Sequence, residues 1–365
     1  MKSIKLEKYI GKPDKERLIA AFKRKKVDRV PNLEILIEDQ HVEKFLDKYA
    51  GNTLGIGGDP AKGEVGDQIR PMYPDDFIDL CNLIGQDGMI FDAGLLTPFC
   101  RKDENGNLIQ VTDKSVKDRK DFESLILNSE HQINKAAKYV KEYKECVKKR
   151  NVNIAVIPLY GCIFQTLYEF LFKMNDFMMM VYEDRDFVEE MLEISTVHYV
   201  KMTKAVVEAG ADIIFPADDV AFKTGLFIPP RTMKEIWIPR MKRIFEPALN
   251  SNIPILFHSD GKIDDIVEDL IEIGLDCLNP MDPSGVDYAD YKKRFGGKLC
   301  LSGNVNVELL AKENSDAIYR DVKKHMEIMK PGGGYVISSS HSLVNYIPHE
   351  NVIAYFNAIH KYGNY

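Results

Sequence analysis

The chain has 365 residues, 45% hydrophobic and 29% charged, with a formal net charge of −7. That balance is ordinary for a globular enzyme and offers no basic surface for nucleic acid or an anionic membrane. Its six cysteines (Cys81, Cys100, Cys146, Cys162, Cys277 and Cys300) are scattered without a Cys-x-x-Cys pair. This is a reduced pattern rather than a disulfide framework. The N-terminus carries no apolar signal-peptide core, and no run of about 18 apolar residues occurs, so a cytoplasmic protein without a membrane span is expected.

In chain order, Pro13 opens a helix that runs to about Lys25. The run Val30 to Ile35 reads as a first strand, with Glu34 near its end. Residues 51–87 are rich in Gly, Pro and Asp and read as an excursion over one end of the fold, with a helix near Asp75 to Leu83. Gly88 to Asp92 is the second strand. Around Glu104 to Asn107 the alternation predicts a hairpin, and a long basic helix follows from Ser129 to Arg150. Asn153 to Leu159 is the third strand, leaving through Tyr160, Gly161 and Cys162.

Three helices then fill Gln165 to Lys173, Asn175 to Glu183 and Arg185 to Ala209. Ala211 to Phe215 is the fourth strand, with Asp218 and Asp219 at its exit, and Pro230 starts a helix to Leu249. The fifth strand, Pro254 to Phe257, stops at His258, Ser259, Asp260 and Gly261. The helix after it places Ile263, Ile266, Leu270 and Ile271 at helical spacing. Asp276 to Asn279, Leu299 to Ser302 and Tyr335 to Ser338 complete a set of eight. They are followed by Asp282, by Asn304 and by His341, and a final helix runs from about His349 to Lys361.

Apolar runs alternating with helices predict an α/β fold, a single (β/α)8 TIM barrel over residues 1–365 with an N-terminal helical extension. The polar residues gather where the runs end: Glu34, Asp92, Tyr160, Asp218, His258, Asp282, Asn304 and His341. In such barrels the βα loops at the carboxyl ends build the active site. A doubly wound sheet is the second fold, but no Gly-x-Gly-x-x-Gly follows the first strand.

The order of these motifs resembles the uroporphyrinogen decarboxylase superfamily along nearly the whole chain. The resemblance rests on Glu16-Arg17-Leu18 leading to Asp28-Arg29-Val30-Pro31, on Asp218 to Gly225, and on Phe257-His258-Ser259-Asp260-Gly261. It continues in Leu301-Ser302-Gly303-Asn304-Val305 and in Gly332 to Ser338. It implies two chemistries. The true decarboxylases carry an arginine motif after the first strand; here that place reads Glu34-Ile35-Leu36-Ile37-Glu38-Asp39, an acidic stretch that repels a polyanionic tetrapyrrole.

The corrinoid-dependent methyltransferases hold zinc through His-x-Cys after the fifth strand and a Cys after the eighth. The matching positions here are His258, Asp260 and His341. Two imidazoles and a carboxylate are a harder, more oxygen-rich set, suited to an oxygen substrate. Glu34 is a candidate fourth ligand.

The resemblance therefore implies an enzyme that moves a methyl group between a small methylated substrate and the corrinoid of a separate carrier protein. The ligands to zinc would be His258, Asp260 and His341, with Glu34 the candidate fourth because strand one neighbours strand eight in a closed barrel. By their own positions, Asp218 and Asp219 would manage the proton or else cap the Phe222-Lys223 loop, and Tyr160 would donate a hydrogen bond to substrate or else stand as a rim aromatic. The cobalamin arrives with the partner, and a homodimer is compatible with this reading. The alternatives are a decarboxylase-like lyase and a non-catalytic tetrapyrrole-binding protein, for which His258 and His341 hydrogen-bond the ligand and no metal binds.

Overall fold

A computed structural model describes residues 4–55 and 70–365. Residues 56–69 of the expected excursion over 51–87 lie outside the described residues, and the helix expected there is Pro74–Ile84. The fold is α/β, with seven strands of parallel sheet: β1 Gly88–Gly94, β2 Ala155–Gly161, β3 Phe215–Ala217, β4 Leu256–His258, β5 Cys277–Asn279, β6 Cys300–Ser302 and β7 Tyr335–Val336. Among the described residues no helix is long and apolar enough to cross a membrane. The chain divides into two compact units, residues 1–92, 142–157 and 276–365 in the first, and 93–141 and 158–275 in the second.

In the first unit β5, β6 and β7 run parallel, with Cys277 opposite Cys300 and Leu301 opposite Tyr335. The expected first strand is present as an extended segment rather than a regular strand. It makes parallel bridges from Asn32 to Ile337 and from Ile37 to Leu343. Pro31 has no N–H to give, and the Glu34 N–H goes to the Gln86 side chain at 3.2 Å instead of to a strand. Towards β1 the segment accepts the Asp87 N–H at Asn32 O, 3.0 Å. β5, β6 and β7 are buried along their whole length, Asn279 and Ser302 included. Arg17 joins the expected N-terminal helix, Lys15–Phe22, to buried Asp87 at 2.7 Å and to Asp28 at 2.7 Å.

In the second unit the end of β2 pairs with β3, Tyr160 opposite Pro216, and β3 pairs with β4, Ala217 opposite His258. The predicted hairpin forms between Phe99–Lys102 and Leu108–Gln110, its turn held by Asp103 accepting the Asn105 and Asn107 N–H groups. The expected helix from Pro230 to Leu249 is two helices, Pro230–Ile236 and Ile238–Asn250, parted at Trp237. Pro239 supplies the reason, since its ring nitrogen cannot continue the ladder of the preceding turn. The segment after Gln165 is a π-helical turn, Thr166–Leu171. After β4 the chain makes a 3₁₀ turn, Asp264–Ile266, and then a helix, Val267–Glu272. Val267 joins Ile266 and Leu270 inside, and Ile271 is half-buried.

Candidate metal centre

Successive residues of an extended chain project to opposite sides. At the exit of β3 this separates two adjacent acids. Asp218 is fully buried. It accepts the Phe164 N–H at 3.0 and 3.1 Å, the Gln165 N–H at 2.6 Å and the Trp237 indole N–H at 2.7 Å. Burial pushes its carboxyl up to about 7, against the pull of these donors, and neighbouring Asp219 pushes the same way. Asp219 turns the other way and is half-buried. Its Oδ1 accepts the Asp260 N–H at 2.7 Å, and its Oδ2 accepts the Gln165 amide at 3.0 Å.

β4 ends on His258, whose Nε2 lies 3.8 Å from Asp219 Oδ1 and 3.8 Å from Asp260 Oδ1. One ligand atom from each of Asp219, His258 and Asp260 falls within 4.8 Å of the others. Gly261 makes this turn possible. Its φ is +82°, and a Cβ there would stand 2.4 Å from Ala221 O. The loop is thereby clasped to a small hairpin, Ala221–Phe222 with Gly225–Leu226, and the Lys262 N–H donates to Phe222 O at 2.8 Å. Tyr168 donates to Asp219 O at 2.9 Å and packs edge-to-face on Phe227, 5.4 Å between centroids.

Of the residues singled out in the sequence, the structure brings together His258, Asp260 and Asp219. Asp219 was expected in proton transfer and stands among the metal-capable ligands. Asp218 faces inward onto the 164–165 backbone. Tyr160 is fully buried with its hydroxyl 2.9 Å from Thr203 Oγ1, and burial pushes that hydroxyl up.

Glu34 and His341 belong to the first unit. Glu34 is buried and accepts the Ser339 N–H at 3.1 Å to each oxygen, the Ser339 hydroxyl at 2.5 Å and the Tyr355 hydroxyl at 2.6 Å. Burial still carries its carboxyl up to about 7. The side chain of Ser339 also reaches the His341 carbonyl, at 2.5 Å, and His341 itself is exposed. Glu38 and Asp39 of the acidic stretch accept the Asn345 N–H and Asn345 amide, at 2.5 and 2.7 Å. Their charge is partly engaged in tying residues 38–39 to 345. Asn304 is held by His325 at 3.1 Å, and Asn279 reaches Ser302 at 3.2 Å and Ser338 at 3.4 Å.

Gln165, Tyr168, Trp237, Ser339 and Tyr355 were not legible in the sequence. Only Trp237 carried any mark, as the chain's single tryptophan. The six free cysteines are all buried, and none is in the Asp219–His258–Asp260 cluster.

An α/β chain with a histidine and two carboxylates at the carboxyl ends of β3 and β4 is, by chemistry, a candidate metal-dependent enzyme. The chain belongs to the uroporphyrinogen decarboxylase (URO-D) family, whose model matches residues 104–362. It is 30% identical over 198 residues to the methylcobamide:CoM methyltransferase MtaA of Methanosarcina barkeri, covering 54% of this chain and 56% of that protein. It is 24% identical over 189 residues to the uroporphyrinogen decarboxylase of Actinobacillus pleuropneumoniae serotype 5b, covering 50% of this chain and 51% of that one. The matches thus span about half the length of these relatives. A methyltransferase structure from Methanosarcina mazei superposes with a TM-score of 0.65 at 20% identity, covering 96% of this chain and 99% of that one, and shares the fold.

Proposed function

We propose that this chain is a metal-assisted methyltransferase, moving a methyl group between a small methylated substrate and the corrinoid of a separate carrier protein. In this reading it is a cytoplasmic enzyme built as one closed (β/α)8 barrel over residues 1–365, with an N-terminal helical extension. The observation that carries the reading is the Asp219–His258–Asp260 cluster, together with the likeness to a methylcobamide:CoM methyltransferase.

The donor set fits zinc. Ligand atoms about 2.1 Å from a tetrahedral zinc stand roughly 3.4 Å apart, and His258 Nε2 is 3.8 Å from both carboxylates. When bound, the ion supplies Lewis acidity toward a substrate oxygen. The chain's own residues do the rest. His258 offers an imidazole nitrogen, and Asp219 and Asp260 would balance the cation's charge. At the two thiolate positions of the family's methyltransferase pattern stand Asp260 and His341, a harder set that favours an oxygen-bound over a thiol-bound methyl group. Asp218 serves by fixing the backbone at Phe164 and Gln165, since its oxygens already face N–H donors. His341, from the family pattern, and Glu34, from its place at the end of the first strand, complete the proposed ligand set; zinc titration of His341→Ala and Glu34→Gln tests them.

Elemental analysis of tag-free protein, joined to an absorbance assay for methyl transfer to or from free methylcobalamin, tests the proposal. Stoichiometric metal together with corrinoid turnover is expected. Absence of both in the same preparation overturns it. A lyase is the second reading, supported by the uroporphyrinogen decarboxylases among the relatives.

A further inference from the structure

Two pairs of consecutive residues grip one another beside the cluster. Asp218 holds the backbone N–H groups of Phe164 and Gln165. In return the Gln165 side chain holds Asp219 twice. Its Nε2 donates to Asp219 Oδ2 at 3.0 Å, and its Oε1 accepts the Asp219 N–H at 3.2 Å. The clasp is anchored in the core by Trp237, which is fully buried and donates to Asp218.

A carboxylate at a strand exit is free to turn about two side-chain bonds, and each turn moves its oxygens away from His258. Here each oxygen of Asp219 has one N–H donor: Gln165 on Oδ2 and the Asp260 backbone on Oδ1. An ionised carboxylate has about four lone-pair directions, so both oxygens keep acceptor capacity for a cation. Its rotamer is set before any ion arrives. Ligands held in this way lose less freedom on binding, and outer-shell partners of metal ligands are worth about 10–100-fold in affinity.

We infer that Gln165 is a positioning residue that presents Asp219 to a divalent cation, with Asp218 and Trp237 fixing Gln165 in turn. This rests on the metal reading of the Asp219–His258–Asp260 cluster. Gln165 is half-buried, and among the described residues its side chain bonds to Asp219 alone. Its backbone N–H, not its side chain, meets Asp218. Replacing the side chain therefore leaves the anchor in place.

The test is a calorimetric titration of zinc into the full chain as wild type, Gln165→Met and Gln165→Asn, with melting of the metal-free proteins measured alongside. Gln165→Met keeps the length and removes both bonds; zinc affinity should fall about 10–100-fold while the metal-free melting temperature stays within a few degrees. Gln165→Asn, an amide on a shorter arm, should fall between the two, and it carries the test if the Met variant fails to fold. Unchanged zinc affinity in the folded variants overturns the positioning role and leaves the metal reading intact. Affinity lost only in step with melting also overturns it, because that is what a purely structural contact would do. No zinc uptake by the wild type overturns both.

Discussion

The Asp260 backbone donates to Asp219 Oδ1 at 2.7 Å, joining two acids 41 positions apart. Through this bond the exit of β3 and the turn after β4 present their carboxylates to His258 as one group. If they act as a unit toward a cation, their losses should not add. His258→Ala and Asp219→Ala should each lower zinc affinity by about 100-fold or more, since removing one of three ligands costs at least what an outer-shell partner does. The double variant should do little further harm. Asp260→Cys should raise zinc affinity above wild type, because thiolate is the softer ligand. Zinc titrations of wild type and the four variants check this, and fully additive losses would contradict a shared site.

Glu34 should set a pH dependence of stability. Its folded carboxyl is raised from 4.5 to about 7 by burial. Between those values the folded chain holds a proton that the unfolded chain has released. Stability is therefore full below about 4.5 and falls as pH rises towards 7, by roughly 3 kcal/mol in all. Glu34→Gln should flatten that part of the profile. Urea midpoints at pH 5 and pH 8 for the two proteins would show it, and identical pH slopes would refute the assignment.

Trp237→Phe should leave Asp218 Oδ2 with only the longer Phe164 contact, at 3.1 Å. Losing a donor to a buried acid costs about 1–3 kcal/mol. The urea midpoint should drop accordingly. A midpoint equal to wild type would mean that the indole bond contributes nothing.

Gly261→Ala should damage the site through the backbone. A side chain at φ +82° is strained by about 1–2 kcal/mol, and its Cβ would meet the Ala221 carbonyl at 2.4 Å. Stability should fall by at least that amount, and zinc affinity with it, because Asp260 immediately precedes the strained position. A variant as stable as wild type, with its zinc affinity intact, would show that the turn has another conformation available.

Uroporphyrinogen should not be converted to coproporphyrinogen. The segment Glu34 to Asp39 has no arginine to receive a polyanion, and its acids are tied to Ser339, Tyr355 and Asn345. Product analysis by chromatography decides this; turnover near 1 per second, an ordinary enzyme rate, would move the lyase reading to first place.

The sequence by itself determined the alternation of strands and helices, the family, and the nearness of His258 to Asp260. These are local properties: apolar runs have a period, and residues two apart at a strand end share a side. It also located the acids at the exit of β3. What it left open was which of Asp218 and Asp219 faces inward. That depends on register, on Ala217 standing opposite His258, and a shift of one residue exchanges the two roles. Only the tertiary structure decides it, by placing Trp237, Phe164 and Gln165 against one acid and His258 against the other. The same holds for Glu34, whose partners Ser339 and Tyr355 lie 305 and 321 positions away. Its buried state comes from contacts across the chain that no local pattern encodes.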